Sequence, residues 1–450
     1  MNARTSGLGW LGILRLGLVQ TSLGAIVVLT TSTLNRVMVV ELALPALLPG
    51  ILVAIHYLVQ ISRPRFGHGS DNGGRRTPWI IGGIAVLGAG GVLAAVATGV
   101  MATSEIAGIA LALTAFLAIG IGVGASGTCL LVLLASMVAP ERRAAAATIT
   151  WIMMIAGFAI TAGIAGAFLD PFSFGRLVAV TATVSAIALV VTVAGLWGLE
   201  KRADAARYVV EKQEPSRSDF MAALREVASE RQTMRFAVFV FISMLAYSAQ
   251  DLVLEPFAGA IFALTPGAST QLGGIQHSGV LLGMVLVALV GSTGAARKDE
   301  ILRICMIVGC VGSALLLATL AISGFVGEGW PLTTTVFTLG VANGSFAVAA
   351  IGSMMGLVSR GNRNREGVRM GVWGAAQALA FALGGIAGTF AVDLTRFITG
   401  SALHAYALVF VLQAALFGVA AVLASRLTRK VPGSAAPRRA TKEAVPDAGY

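Results

Sequence analysis

The 450-residue chain is short of charge: Asp, Glu, Lys and Arg make up 12% of it, against 56% hydrophobic residues and a mean hydropathy of +0.85. A water-soluble domain carries about a quarter charged residues. This composition therefore excludes a soluble enzyme, a disordered protein and a nucleic-acid-binding module, despite a net charge of +11. Cysteine is scarce as well. Cys129, Cys305 and Cys310 all fall inside apolar runs, in a spacing that forms neither a disulfide framework nor a metal knuckle. The chain also lacks a glycine-rich phosphate loop ending in Lys-Ser/Thr, a His-Glu-x-x-His pair, a nucleophile elbow and the Asp-rich helix of prenyltransferases. The catalytic chemistries those motifs carry are excluded with them.

What the sequence does have is apolar runs, and a membrane helix needs about 20 mostly apolar residues. Twelve stretches qualify: 17–35, 43–62, 79–102, 106–138, 144–169, 177–199, 236–258, 274–294, 301–323, 332–358, 368–392 and 402–425. The fourth is too long for one straight span, and Gly120, Gly122, Gly124 and Gly127 predict a tilted or kinked helix packed through small residues. The first contains Gln20, Thr31 and Asn35 and lacks a small-residue cleavage site, so it reads as a retained helix and not as a secretory peptide.

Threading these spans with the N-terminus inside places 29 of the 32 lysines and arginines on the cytoplasmic side and leaves Arg36, Arg176 and Arg396 on the other. That asymmetry predicts cytoplasmic N- and C-termini, and it accounts for the basic excess without nucleic acid. The long polar stretch divides the spans six and six. It contains Phe220, Leu224 and Val227 at i, i+4 and i+7, the pattern of a short amphipathic helix lying on the membrane. The expected organisation is a six-helix half over 1–199, a cytoplasmic linker over 200–235, a second six-helix half over 236–425 and a disordered, proline-containing tail over 426–450.

An internal repeat supports the two halves. A shift of 222 positions lays Arg143 on Arg365, Trp151 on Trp373, Gly163-Ile164-Ala165-Gly166 on Gly385-Ile386-Ala387-Gly388, and Phe168 on Phe390. The fifth and eleventh stretches are then equivalent. Such duplication resembles the major facilitator transporters, whose substrate site lies between the halves near mid-membrane. The fold class expected is an all-α membrane protein of twelve transmembrane helices in two pseudo-symmetric six-helix halves.

Few residues within these spans could carry chemistry. The seventh stretch holds Ser243, Tyr247, Gln250, Asp251 and Glu255, which at 100° per residue cover one face about 140° wide. Two acids four residues apart in a low dielectric cannot both ionise cheaply, so a retained proton or a basic partner is expected. Arg36, at a similar depth on the equivalent first stretch, is the partner expected. The constellation reads either as a proton or ligand site or as an ion pair closing the outer ends of the halves. Pro256, directly after Glu255, disfavours a continued regular helix. Gln20, Gly24, Thr31 and Asn35 form a narrow stripe on the first stretch, and Trp373, Gln377, Gly384 and Gly388 form another on the eleventh; each lines a cavity or lets helices pack closely. Of the four histidines, His56 and His277 lie in spans, where a neutral imidazole either ligates the magnesium of a chlorin ring or bonds a neighbouring helix. His68 and His404 lie in a basic loop and near an outer helix end.

The loop after the second stretch, Gly67-His68-Gly69-Ser70-Asp71-Asn72-Gly73-Gly74-Arg75-Arg76, resembles the major facilitator loop motif, with Gly67, Asp71, Gly74, Arg75 and Arg76 at the motif positions and Asn72 replacing a basic residue. Three further segments, Thr33 to Leu42, Gln250 to Pro256 and Arg369 to Ala378, resemble the PucC-like, bacteriochlorophyll-delivery branch of that superfamily, from about residue 10 to 425. His56-Tyr57-Leu58-Val59-Gln60 and Arg63-Pro64-Arg65-Phe66-Gly67 are closer to its subgroup associated with bacteriochlorophyll synthase. The resemblance carries over Asn35, Arg36, Glu41, Gln250, Asp251, Glu255, Trp373 and Gln377 as matching positions, without assigning their roles.

The resemblance implies a non-catalytic factor of phototrophic bacteria, in the inner, intracytoplasmic photosynthetic membrane. It would bind bacteriochlorophyll or a late precursor and work with light-harvesting polypeptides or bacteriochlorophyll synthase among membrane lipids. A greasy groove with a few polar anchors suits a large apolar macrocycle. Two other functions fit the residues: a proton-coupled transporter of a small solute, with Asp251 or Glu255 titrating, and a passive scaffold.

Overall fold

The computed structural model describes residues 8–60, 75–200, 225–226, 229–292, 298–360 and 366–427. They form helices and connecting turns, with no strand among them. The twelve principal helices are α1 (Trp10–Glu41), α2 (Leu47–Val59), α3 (Thr77–Met101), α4 (Glu105–Met137), α5 (Arg143–Leu169), α6 (Phe174–Leu196), α7 (Arg231–Phe262), α8 (Pro266–Ser292), α9 (Lys298–Val326), α10 (Leu332–Arg360), α11 (Glu366–Thr399) and α12 (Ala402–Arg426). All but α2 are long and apolar enough to cross a membrane. Large side chains on the rim, among them Leu11, Ile106, Val190 and Phe397, are exposed hydrocarbon. Water would not tolerate so much exposed apolar surface, whereas lipid does.

Local chemistry sets the helix ends. Pro78 begins α3, where its missing N–H costs nothing. Both Glu200 carboxylate oxygens accept from that helix's entry, from the amides of Arg76 and Thr77 at 2.7 and 3.1 Å. Ser173 and Ser401 cap α6 and α12 by accepting from the amides of Arg176 and His404. α2 starts at Leu47 instead of 43 because Ala43 has φ 50° and Pro45 follows it. α4 runs as one helix of 33 residues, about 50 Å at 1.5 Å per residue. Its glycines are packing sites: a Cβ on Gly122 would lie 2.5 Å from the Leu87 amide of α3.

The packing repeats. Within the first half α1 packs on α5 and α6, α3 on α4 and α6, and α2 on α4; within the second, α7 packs on α11 and α12, α9 on α10 and α12, and α8 on α10. Each half has its own apolar core, and Leu252 of α7 reaches into that of the first half. The halves meet through α5 against α8 and α2 against α11. The linker with its amphipathic helix, expected over 200–235, lies mostly outside the described residues, its last five residues, 231–235, belonging to α7, and the tail expected over 426–450 falls almost wholly outside them. Gly67, Asp71 and Gly74 lie outside them as well.

Candidate functional site

Odd-numbered helices run away from the N-terminal end of the bundle, so Arg36 comes near the far, N-distal end of α1. There α1 departs from α geometry, with π-helical turns at Leu29–Thr33 and Val37–Glu41. A π turn stacks residue i over i+5, so Glu41 lies under the Arg36 guanidinium and the two form an ion pair. Arg36 Nη2 donates to the Leu264 carbonyl at 2.6 Å, just past the end of α7. The guanidinium lies over Gly259, where a Cβ would be 3.0 Å from Nη2. The partner expected from α-helical spacing was Asp251 or Glu255. The structure pairs Arg36 directly with Glu41, because the π turn brings that acid onto the arginine's face, while Glu255 interacts with Arg36 electrostatically without an ion-pair contact.

Helix α7 continues through Pro256 to Phe262, contrary to the break expected there. Proline has no N–H for the carbonyl four residues back, which belongs to Leu252. Asn35 of α1 replaces that donor: its Nδ2 donates to the Leu252 carbonyl at 2.6 Å. Consecutive residues of the first half thus bind two carbonyls of the second. Asn35→Leu is expected to lower stability by about 1–3 kcal/mol by orphaning a buried acceptor. Pro256→Ala restores the N–H, so the double variant should recover most of the loss. Thermal unfolding in detergent of the four proteins in this cycle measures it, and additive losses would refute the substitution of one donor for the other.

The polar arc of α7 does not converge on one cavity. Ser243 and Gln250 lie at its edge and are fully buried within the second half. Ser243 donates to its own helix, while Gln250 accepts from Asn343 of α10, which in turn accepts from Ser313 of α9. Glu255 faces α8: Thr270 Oγ1 is 3.5 Å from its Oε2, and a Cβ on Gly273 would be 2.6 Å from its Oε1. Asp251 is partly exposed, with Oδ1 lacking a partner among the described residues. Tyr247 packs on Phe381 of α11, which also contacts Tyr57 of α2, with ring centroids 6.2 and 5.1 Å apart.

The two stripes divide similarly. Gln20 and Gly24 face α5, the former through a 3.2 Å contact of its amide with Met154 Sδ and the latter against Phe158, while Asn35 faces α7. Trp373 is buried and donates to the Thr233 carbonyl at 3.1 Å, a packing contact at the N-proximal end of α7. Gly384 and Gly388 bring α11 against Leu245 and Ala249 of α7. Gln377, on the same helix, is partly exposed. Arg75 is exposed at the entry to α3, and Arg76 meets Glu200 there through its amide.

The two histidines differ. The side-chain amide of Gln60 lies 3.0 Å from His56 Nε2 and engages that nitrogen. His277 has Nδ1 2.8 Å from the Gly273 carbonyl and packs edge-on against Phe158 of α5, centroids 5.0 Å apart.

Two acids not singled out in the sequence close the N-distal side. Asp170, after α5, accepts from Thr265 Oγ1 at 2.6 Å and from the Gly267 amide of α8 at 3.2 Å. Asp393 of α11 accepts from the Ala46 and Leu47 amides at the start of α2, at 2.9 and 2.8 Å. Positions 170 and 393 differ by one from the 222-residue repeat, so each half caps a helix of the other with nearly equivalent acids. Beside Asp170, α5 and α8 touch through glycine: a Cβ on Gly166 would lie 2.7 Å from the Gly267 carbonyl, and one on Gly274 2.8 Å from the Gly163 amide. This seam ends at Phe158 and His277, near mid-length of both helices. Beyond it, from Trp151 to Met154, α5 is partly exposed.

The model of the family described as PUCC protein matches residues 33–431. The chain is 51% identical over 407 residues to the bacteriochlorophyll synthase 44.5 kDa chain of Rhodobacter capsulatus, covering 90% of this chain and 93% of that protein. Identity to the Protein PucC of the same organism is 28%, covering 89% of each. Among solved structures the nucleoside transporter NupG superposes with a TM-score of 0.66 at 13% identity, covering 92% of this chain and 98% of the transporter. That likeness establishes the major facilitator type of fold.

Proposed function

Because the chain belongs to the PucC family, we propose that it is a non-catalytic membrane factor that handles or delivers bacteriochlorophyll and assists pigment synthesis or light-harvesting assembly. The observation that carries this reading is the surface between the halves at mid-depth. Two groups of contacts make it up: Phe158 and Met154 of α5 with His277 and Gln20, and Phe381 of α11 with Tyr57 and Tyr247, the latter beside Asp251. A large apolar ring with one metal and a few carbonyls needs such a lining. The strongest charge between the halves is held elsewhere, in the Arg36–Glu41 clamp. The relatives' names tie them to bacteriochlorophyll synthase and to PucC proteins, which favours the synthase or antenna polypeptides as partners. The inner photosynthetic membrane is the matching location, with the basic side cytoplasmic.

The test is purification in mild detergent from a phototrophic host. Chlorin pigment retained with the chain, or synthase or antenna polypeptides co-purifying with it, is the expected result. Pigment-free protein, together with undiminished pigment–protein assembly in a deletion strain, would overturn the reading. A proton-coupled transporter is the alternative, favoured by the unpartnered oxygens of Asp251 and Glu255. It requires Asp251→Asn or Glu255→Gln to abolish proton-driven uptake in vesicles.

A further inference from the structure

We propose that His277 is the axial ligand for the central magnesium of a chlorin held where α1, α5 and α8 meet. The assignment rests on the pigment-handling reading and selects one residue for it.

Tautomer chemistry separates the two buried histidines. A carbonyl only accepts, so the 2.8 Å contact with Gly273 places the His277 proton on Nδ1 and the free lone pair on Nε2. His277 is 5% exposed, and its Nε2 has no hydrogen-bond partner among the described residues. Metal-binding imidazoles characteristically donate their other N–H to a carbonyl or carboxylate, which fixes the ring and raises the basicity of the ligating nitrogen. His277 already has that second contact, supplied by its own helix. The corresponding nitrogen of His56 is already occupied by Gln60.

The surroundings match the rest of the molecule to be bound. Phe158 presents its ring to His277 from the other half, and Phe158 in turn packs over Gly24 of α1, where a Cβ would be 2.8 Å from its Cδ1. One turn before it, Met154 meets the Gln20 amide. Three helices thus bring an imidazole, a phenyl ring, a thioether and a carboxamide to one junction. The glycine seam leaves no room for a ring on its N-distal side. The magnesium of a bound chlorin would take a further ligand from the protein, and a neutral imidazole could supply it.

The experiment offers three probes to the full-length protein in detergent: bacteriochlorophyll a, its zinc-substituted form and its metal-free form. Wild type is expected to retain the two metallated pigments at least about tenfold better than the metal-free one. His277→Leu should abolish that preference, His56→Leu should keep it, and His277→Gly with added imidazole should restore it. If His277→Leu does not fold, the metal preference of wild type and the imidazole rescue still decide. Retention of all three pigments without metal preference, or an unchanged preference in His277→Leu, overturns the ligand assignment and leaves pigment handling standing. Failure of wild type to retain any of the three overturns the ligand assignment, and together with undiminished pigment–protein assembly in a deletion strain it overturns the pigment-handling reading as well.

Discussion

Gly344→Ala is expected to destabilise the protein by at least about 3 kcal/mol, at the upper end of the cost of overpacking, and Gly344→Val to prevent accumulation of folded protein. α8 and α10 lie backbone to backbone through four glycines in two Gly-x-x-x-Gly pairs, Gly279 with Gly283 and Gly340 with Gly344. A Cβ on Gly344 would lie 2.0 Å from the Val280 carbonyl oxygen and one on Gly340 2.1 Å from that of Gln276. From the other side, a Cβ on Gly279 would be 2.1 Å from the Phe337 oxygen and one on Gly283 2.2 Å from that of Val341. Every atom met is backbone, so no side chain can swing aside and the helices must part. In lipid, close contact of this kind is itself the attraction between helices. Gly418→Ala on α12, with nothing within 4 Å of the added methyl, is the control. Thermal unfolding in detergent measures both, and equal midpoints for Gly344→Ala and wild type would refute the argument.

Arg36→Leu is the second large effect, expected at about 3 kcal/mol, the cost of orphaning a buried carbonyl and unpairing a partly exposed acid. Arg36 is 2% exposed and serves two acceptors on different elements, Glu41 and the Leu264 carbonyl. Both lose their donor: the Leu264 carbonyl is orphaned, while Glu41, a third exposed, loses its ion pair but keeps access to its surroundings. Arg36→Lys should recover little, because one ammonium cannot span both acceptors as the flat guanidinium does above Gly259. Glu41→Gln should cost less than Arg36→Leu, since Glu41 keeps a third of its surface exposed. The same unfolding assay ranks the three variants, and a rescue by lysine would contradict the two-acceptor arrangement.

Much of this fold was legible before any coordinates. Long apolar runs need only composition and length to be recognised, and the 222-residue repeat announced two similar halves. The segments around Asn35, Asp251 and Trp373 pointed to the right family. What escaped was geometry that departs from the regular period. Face assignments at 100° per residue fail across the π turns of α1, so they miss Glu41, five residues from Arg36, as its ion-pair partner. Pro256 disfavours a regular helix when its effect is weighed within one helix, but the compensating donor comes from a residue 217 positions earlier. The α8–α10 glycines were visible at the spacing that brings membrane helices together, yet this pairing cannot be inferred without knowing which helices are neighbours. Asp170 and Asp393 looked like ordinary loop-end acids, since only the folded chain shows whose amides they face.

The exchange of caps between halves also sets an order of events during synthesis. The amides of Ala46 and Leu47 wait for a carboxylate 347 and 346 residues further along the chain. At about 5–20 residues per second, that acid leaves the ribosome on the order of tens of seconds after them. For that interval the start of α2, the shortest of the twelve helices, relies on water or lipid headgroups for partners. The reciprocal cap on α8 follows the opposite schedule, because Asp170 is made before Gly267. The α2–α11 part of the N-distal closure is therefore formed late, with only α12 still to join, and a chain truncated anywhere before residue 393 reaches the membrane with the start of α2 uncapped.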